Sequence, residues 1–110
     1  MDARVSVALQ MIENRCAREA LRVEDLANAV RLSTSRFRYL FKHEIGLSPP
    51  ACLTTLRMRR AKDLIESTFL GIKEVRDLVG LADASDFSRR YKSSFGITPM
   101  QARRSKENHP

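Results

Sequence analysis

The stretch SPPACLTTLRMRRAKDLIES, Ser48 to Ser67, reads as one long helix, and the rest of the chain is arranged on its two sides. Ser48 is a good N-cap and Pro49 a good first helical residue, since proline's missing N–H would be unpaired there anyway. Beyond Pro50 no Gly or Pro interrupts the run until Gly71. At about 100° per residue, Leu53, Met58, Ala61, Leu64 and Ile65 fall on one broad arc, with Thr55, Arg59, Lys62 and Glu66 opposite. An arc that wide suggests a helix packed by two neighbours rather than one. At a rise of ~1.5 Å per residue, the stretch spans ~30 Å.

Working outward, the two flanks repeat each other. Upstream stands VEDLANAVRLSTSRFRYLFKHEIGLSP (23–49), downstream IKEVRDLVGLADASDFSRRYKSSFGITP (72–99). Val23/Ile72, Leu26/Val75, Val30/Val79 and Leu32/Leu81 match at an offset of 49. Phe37/Phe87, Phe41/Tyr91, Lys42/Lys92, Gly46/Gly96, Ser48/Thr98 and Pro49/Pro99 match at 50, so the second copy carries one extra residue after Leu81. A repeat of this kind has to be read before anything else.

Each copy reads as helix, short turn, helix, over a length suited to a helix-turn-helix. In the first, Val23–Val30 is the short helix, with Glu24 and Asp25 in its first turn where the dipole favours acids. Arg22 is a poor cap, and Arg31–Leu32 form the turn. Ser33 caps the next helix, whose inward face is Phe37, Leu40, Phe41 and Ile45 and which ends at Gly46. In the second, Ile72–Val79 is the short helix, Gly80 the turn, and Asp83 the cap of a helix with Phe87, Tyr91 and Phe95 inside, ending at Gly96. Before the first copy, Val5, Leu9 and Ile12 mark a helix from about Ala3 to Arg18. After the second, Thr98-Pro99-Met100-Gln101 is a capping box for a last short helix, and residues 105–110 are read as a disordered tail. The expected architecture is all-α, about seven helices in two helix-turn-helix lobes: 1–47 with the first lobe, 48–68 the linker helix, 69–104 the second lobe.

Composition narrows the function. The apolar fraction of 43% is ordinary for a globular protein. No apolar run reaches membrane-span length and no signal-peptide layout opens the chain, so no membrane partner is expected and the location is read as cytoplasmic, at the nucleoid. Cys16 and Cys52 have no CxxC spacing, and His43 and His109 no HExxH. The thiols are read as buried or half-buried groups in a reduced compartment. Neither a cofactor nor a metal is expected, and no Ser/His/Asp, paired-carboxylate or phosphate-loop arrangement supports an enzyme.

The net charge of +7 is unevenly spread. Residues 36–62 hold seven Lys/Arg against one acid, and residues 87–106 six against none. Between them, residues 63–86 hold six acids against two bases. Two basic blocks around an acidic stretch suggest a polyanion held at two places.

With these residues in view, the chain resembles the DNA-binding domain of the AraC/XylS transcriptional regulators, from about Val5 to Arg104. The likeness is densest in the second copy: Gly80, Leu81, Asp83, Ser85, Phe87, Arg89, Tyr91, Lys92, Gly96, Thr98, Pro99 and Arg103. Arg57, Ala61, Leu64 and Ile65 of the linker helix fit as well. The resemblance implies that Ser33–Ile45 and Asp83–Phe95 are recognition helices. Base contacts then fall on Ser35, Arg38 and Tyr39 in the first, and on Ala84, Ser85, Ser88 and Arg89 in the second. Phosphate contacts fall on Ser33, Thr34, Arg36 and Lys42, and on Arg90 and Lys92. Arg38 suits guanine bidentately and Ala84 offers a methyl contact to thymine. Arg89 is read as a base contact, with an ion pair to Asp86 three residues back as the alternative.

Four departures from the family pattern bear on the outcome. Arg31 stands where the turn usually has Gly, Arg76 where a small residue packs beside Val75, and Ala102 where an aromatic is usual. Asp83 and Asp86 place negative charge at the start of the second recognition helix.

The leading expectation is sequence-specific binding of double-stranded DNA to regulate transcription. Adjacent major grooves on one side of B-DNA lie ~34 Å apart, near the ~30 Å linker. Lobes held rigidly would bend straight DNA, at a cost of order 1–6 kcal/mol. The alternative is an adaptor whose second lobe contacts a protein such as RNA polymerase. From another class, an AraC-like module joined to a DNA-repair alkyltransferase would need a Cys cluster, which Cys16 and Cys52 do not form. The chain begins directly at its first helix, which fits either a stand-alone regulator or a fragment lacking an N-terminal effector-binding domain.

Overall fold

The computed structural model describes residues 1–15 and 21–107, and these form seven α-helices without a strand. They are α1 (Ala3–Arg15), α2 (Val23–Ala29), α3 (Thr34–Ile45), α4 (Pro49–Ser67), α5 (Ile72–Val79), α6 (Ala84–Phe95) and α7 (Pro99–Glu107). Cys16, His109 and the expected end of the first helix at Arg18 lie outside the described residues. No helix among the described residues is long and apolar enough to cross a membrane.

The helix ends follow their local chemistry. Ser48 Oγ accepts the Ala51 N–H at 3.3 Å, opening α4 at Pro49. Thr98 and Gln101 close a reciprocal capping box, with Thr98 N–H donating to Gln101 Oε1 at 2.8 Å and Gln101 N–H to Thr98 Oγ1 at 3.1 Å. The weak cap at Arg22 is compensated from inside the helix, where Asp25 Oδ2 accepts the Arg22 N–H at 3.2 Å. Gly71 N–H meets Glu74 Oε1 in the same way at 3.3 Å.

The chain divides into two compact units, Met1–Leu56 and Arg57–Pro110, and the division falls inside α4. In the first unit Val5, Ala8 and Ile12 of α1, Leu26 and Ala27 of α2, Phe37 and Phe41 of α3 and Cys52 of α4 form one buried core, with Leu53 and Leu56 packed on it. In the second, Met58, Ala61 and Ile65 of α4 pack with Val75 and Val79 of α5, Phe87 and Tyr91 of α6 and Ala102 of α7. The repeat is therefore larger than a helix-turn-helix. Val5/Met58, Ala8/Ala61 and Ile12/Ile65 stand at a constant offset of 53 and are all buried. Pro49/Pro99 and Cys52/Ala102 stand at 50 and are buried too. Each unit is a four-helix copy of the other. The second half of α4 plays the part of α1, and α7 plays that of the first half of α4.

Ring pairs anchor both cores: Phe37 to Phe41 at 5.6 Å between centroids, Phe87 to Tyr91 at 5.9 Å, and Tyr91 to Phe95 edge-on at 4.8 Å. Burial, with the charge of Glu66 a second cause, pushes the Tyr91 hydroxyl pKa up.

Two expectations are corrected or sharpened here. Residues 105–107, read as part of a disordered tail, continue α7 instead. Lys106 holds them: its Nζ donates to the Thr68 carbonyl and sits 3.9 Å from the centre of the Phe69 ring. Arg31 takes the left-handed conformation at φ 59°, the one non-glycine among the described residues to do so, where its counterpart Gly80 has φ 77°. The turn keeps its shape and carries the strain of a Cβ.

Candidate nucleic-acid interface

The second helix of each helix-turn-helix is built the same way, nearly to the hydrogen bond. Ser33 caps α3, its Oγ accepting the Arg36 N–H at 3.2 Å; Asp83 caps α6, its Oδ1 accepting the Asp86 N–H at 2.7 Å. Phe37 N–H reaches Ser33 O at 2.9 Å and Phe87 N–H reaches Asp83 O at 2.9 Å. Both helices end on a left-handed glycine, Gly46 at φ 88° and Gly96 at φ 82°, whose N–H meets the carbonyl of Lys42 or Lys92 at 2.8 Å.

Apolar residues every three or four positions pull one side of each helix into its core, and the opposite side is left to water. On α3, Ser35, Arg38, Tyr39 and Lys42 follow at i, i+3, i+4 and i+7 and are all exposed. On α6 the same steps carry Ser85, Ser88, Arg89 and Lys92, again all exposed. Ala84, Arg36, Arg90 and Ser33 are exposed beside them, while Thr34 is half-buried. The Ser33 hydroxyl, though used as an acceptor in the cap, keeps its O–H to donate.

The two faces differ in how their charges are held. Each helix carries three basic side chains against one acid. On α3 the acid is Glu44 in the last turn, and its carboxylate accepts the Asp2 N–H at 3.0 and 3.1 Å. Among the described residues, Arg36, Arg38 and Lys42 have no ion-pair partner. On α6 the acid is Asp86 in the first turn. Its Oδ1 takes Arg89 Nη2 at 2.8 Å and its Oδ2 takes Arg90 Nε at 2.8 Å. The hydrogen bonds from Arg90 and then Arg89 hold the Asp86 carboxyl below the usual range. The alternative reading of Arg89 is thus the arrangement the structure adopts, and Arg90 shares it.

His43 is exposed on the same polar side of α3. Its ring lies parallel to that of Tyr39, 8° apart in plane with centroids 6.0 Å apart, and Tyr39 is 72% exposed. The sequence carries the pair as an i, i+4 aromatic spacing on the polar side of a helix. Around the second turn, Arg76 Nη1 donates to the Ala82 carbonyl. Ala82 is the extra residue of the second copy, and Arg76 ties it back to α5. The Arg57 guanidinium lies against Gly80, 3.5 Å from where a Cβ would stand.

A helix-turn-helix domain family matches residues 26–105. The chain belongs to the AraC-type helix-turn-helix family. Among AraC-type relatives, the arabinose operon regulatory protein of Escherichia coli is 34% identical over 103 residues, covering 94% of this chain and 35% of its own length. The Msm operon regulatory protein of Streptococcus mutans is 33% identical over 90 residues, covering 82% of this chain and 32% of its own length. The chain thus spans about a third of these curated relatives. Of solved structures, the C-terminal domain of AraT, a response regulator from Geobacillus stearothermophilus, superposes with a TM-score of 0.86 at 32% identity, covering 94% of this chain and 86% of that one. The DNA-binding domain of AdpA, solved in complex with a target DNA, shares the fold with a TM-score of 0.77 at 24% identity, over 94% and 88% of the two chains.

Proposed function

We propose that the protein is a sequence-specific DNA-binding transcriptional regulator that sets α3 and α6 into two major grooves. One observation carries the reading: two capped helices, each buried on one side, offer matching faces at Ser35, Arg38, Tyr39, Lys42 and at Ser85, Ser88, Arg89, Lys92. Side chains at these steps from a capped N-terminus reach base edges in helix-turn-helix proteins, and lysines at the far end reach phosphates. Ser33, Thr34, Arg36 and Arg90 flank the two faces as phosphate contacts. Because the faces differ in composition, the half-sites should differ in sequence, giving an asymmetric operator.

Membership in the AraC-type family and the recurrence of Lys42 as Lys92 favour DNA at both lobes over an adaptor role for the second. Regulation in this reading adds RNA polymerase and an effector-binding domain as partners, and places the protein at the nucleoid. Selection of bound duplexes from a random pool, followed by footprinting, tests the core of the reading. Two protected half-sites about one helical turn apart are the expected result. No binding to any duplex at low salt overturns it.

A further inference from the structure

Arg36 and Asp86 hold the same position in the two copies. Each is the third residue of its helix, each donates its N–H to the cap, and each precedes the buried Phe37 or Phe87. The charge is inverted at that step. An acid in a first turn is favoured by the helix dipole, so Asp86 is well placed for α6 itself. Its carboxylate also binds both arginines of the helix at 2.8 Å, and it stays 32% exposed on the side that carries them.

We propose that Asp86 is a specificity-determining residue of the second lobe, acting as an internal counter-ion that restrains Arg89 and Arg90 from indiscriminate phosphate contact. The inference rests on the DNA-binding reading above. Two arginines sharing one carboxylate bring one net positive charge to DNA instead of two. Each phosphate neutralised by a protein cation releases a condensed counter-ion, and that release drives non-specific binding. A cation already neutralised within the protein releases none. The carboxylate also repels phosphate oxygens that approach the start of α6. The second lobe therefore engages DNA productively where a base edge rewards it, such as a guanine for Arg89. The first lobe, with Arg36 at the same step, has no such restraint.

The test is Asp86→Asn, which keeps the shape, removes the charge and leaves the Asp83 cap untouched. Binding to a labelled random-sequence duplex and to the selected site is measured by fluorescence anisotropy across a salt series. Restoring one phosphate contact should steepen the slope of log K against log salt by about 0.9 and tighten random-duplex binding about fivefold at 0.15 M salt. Binding to the selected site should tighten less, so discrimination falls. Asp86→Ser is the second variant should the first lose helicity by circular dichroism. An unchanged slope and random-duplex affinity would overturn the proposal. So would lost affinity for the selected site alone, which would make Asp86 a support for Arg89 rather than a restraint. Absence of duplex binding by the unsubstituted chain would defeat the DNA-binding reading itself, a result distinct from both.

Discussion

The first unit caps α3 with Ser33 and sets Arg36 in the first turn, while the second caps α6 with Asp83 and sets Asp86 at the same step. Inside, the two match closely: Val30 with Val79, Phe37 with Phe87, Phe41 with Tyr91, all buried. One four-helix frame thus carries two unlike outer faces. The reason is physical. An interior position is judged by packing, where even one methylene is felt. A solvent-facing position on the same helix tolerates a reversed charge at little cost in stability. The frame itself also differs, as at Arg31 against Gly80 in the turn, Ala27 against Arg76 on the first helix of the motif, Leu53 against Arg103 on the closing helix, and the inserted Ala82.

The largest effect should come where the units are most alike. Phe37→Ala and Phe87→Ala should each cost about 3–5 kcal/mol, since each removes a fully buried ring. Urea or thermal unfolding checks this, and a cost under 1 kcal/mol in one unit alone would break the equivalence of the cores.

The outer faces should then part company. Arg38→Ala should cost about 1–3 kcal/mol of DNA affinity and relax preference at one base position. Its counterpart Ser88→Ala should cost less, because a serine contact is single and neutral. Repeating the selection with each variant decides it. A larger change from Ser88→Ala would reverse the ranking of the lobes.

Arg103 sharpens the comparison from within the second unit. It stands at the step of the half-buried Leu53, is 9% exposed, and its Nε and Nη2 are buried without a hydrogen-bond partner. Arg103→Leu should stabilise the protein by about 1–3 kcal/mol, the cost of leaving such donors unsatisfied. The unfolding midpoint gives the sign, and a loss of stability would mean that the stem of the arginine packs better than leucine does.

The smallest effects lie in the turns. Gly80→Ala should cost about 1 kcal/mol, because φ 77° penalises any Cβ even with the Arg57 guanidinium at ordinary contact distance. Arg31→Gly should be neutral or stabilising by up to about 1 kcal/mol, since relieved strain is offset by a more flexible unfolded chain. Equal and opposite shifts in unfolding midpoint would show that the left-handed residue alone sets the cost in both turns.

Much of this protein is written locally. Ser33, Ser48, Asp83 and Thr98 open helices because a short polar side chain next to four unpaired N–H groups does so wherever it stands. Gly46 and Gly96 close them for an equally local reason, and the offsets of 49 and 50 expose the duplication without any contact being known. The spacing of the phenylalanines also settles which side of α3 and α6 faces water, and so which residues the proposed DNA contact would use.

Tertiary structure alone decided the rest, where the outcome depends on which distant or competing group is within reach. The arc on α4 is shared out between two cores because α1, α2 and α3 meet its first half and α5, α6 and α7 its second. The chain stays helical to Glu107 because Lys106 reaches Thr68 and Phe69, some 38 residues back. Asp86 engages both Arg89 and Arg90, a result of rotamers that spacing alone leaves open between one partner, the other, or neither. Arg31 adopts the left-handed turn because the packing of α2 on α3 fixes the backbone there, and the residue must comply.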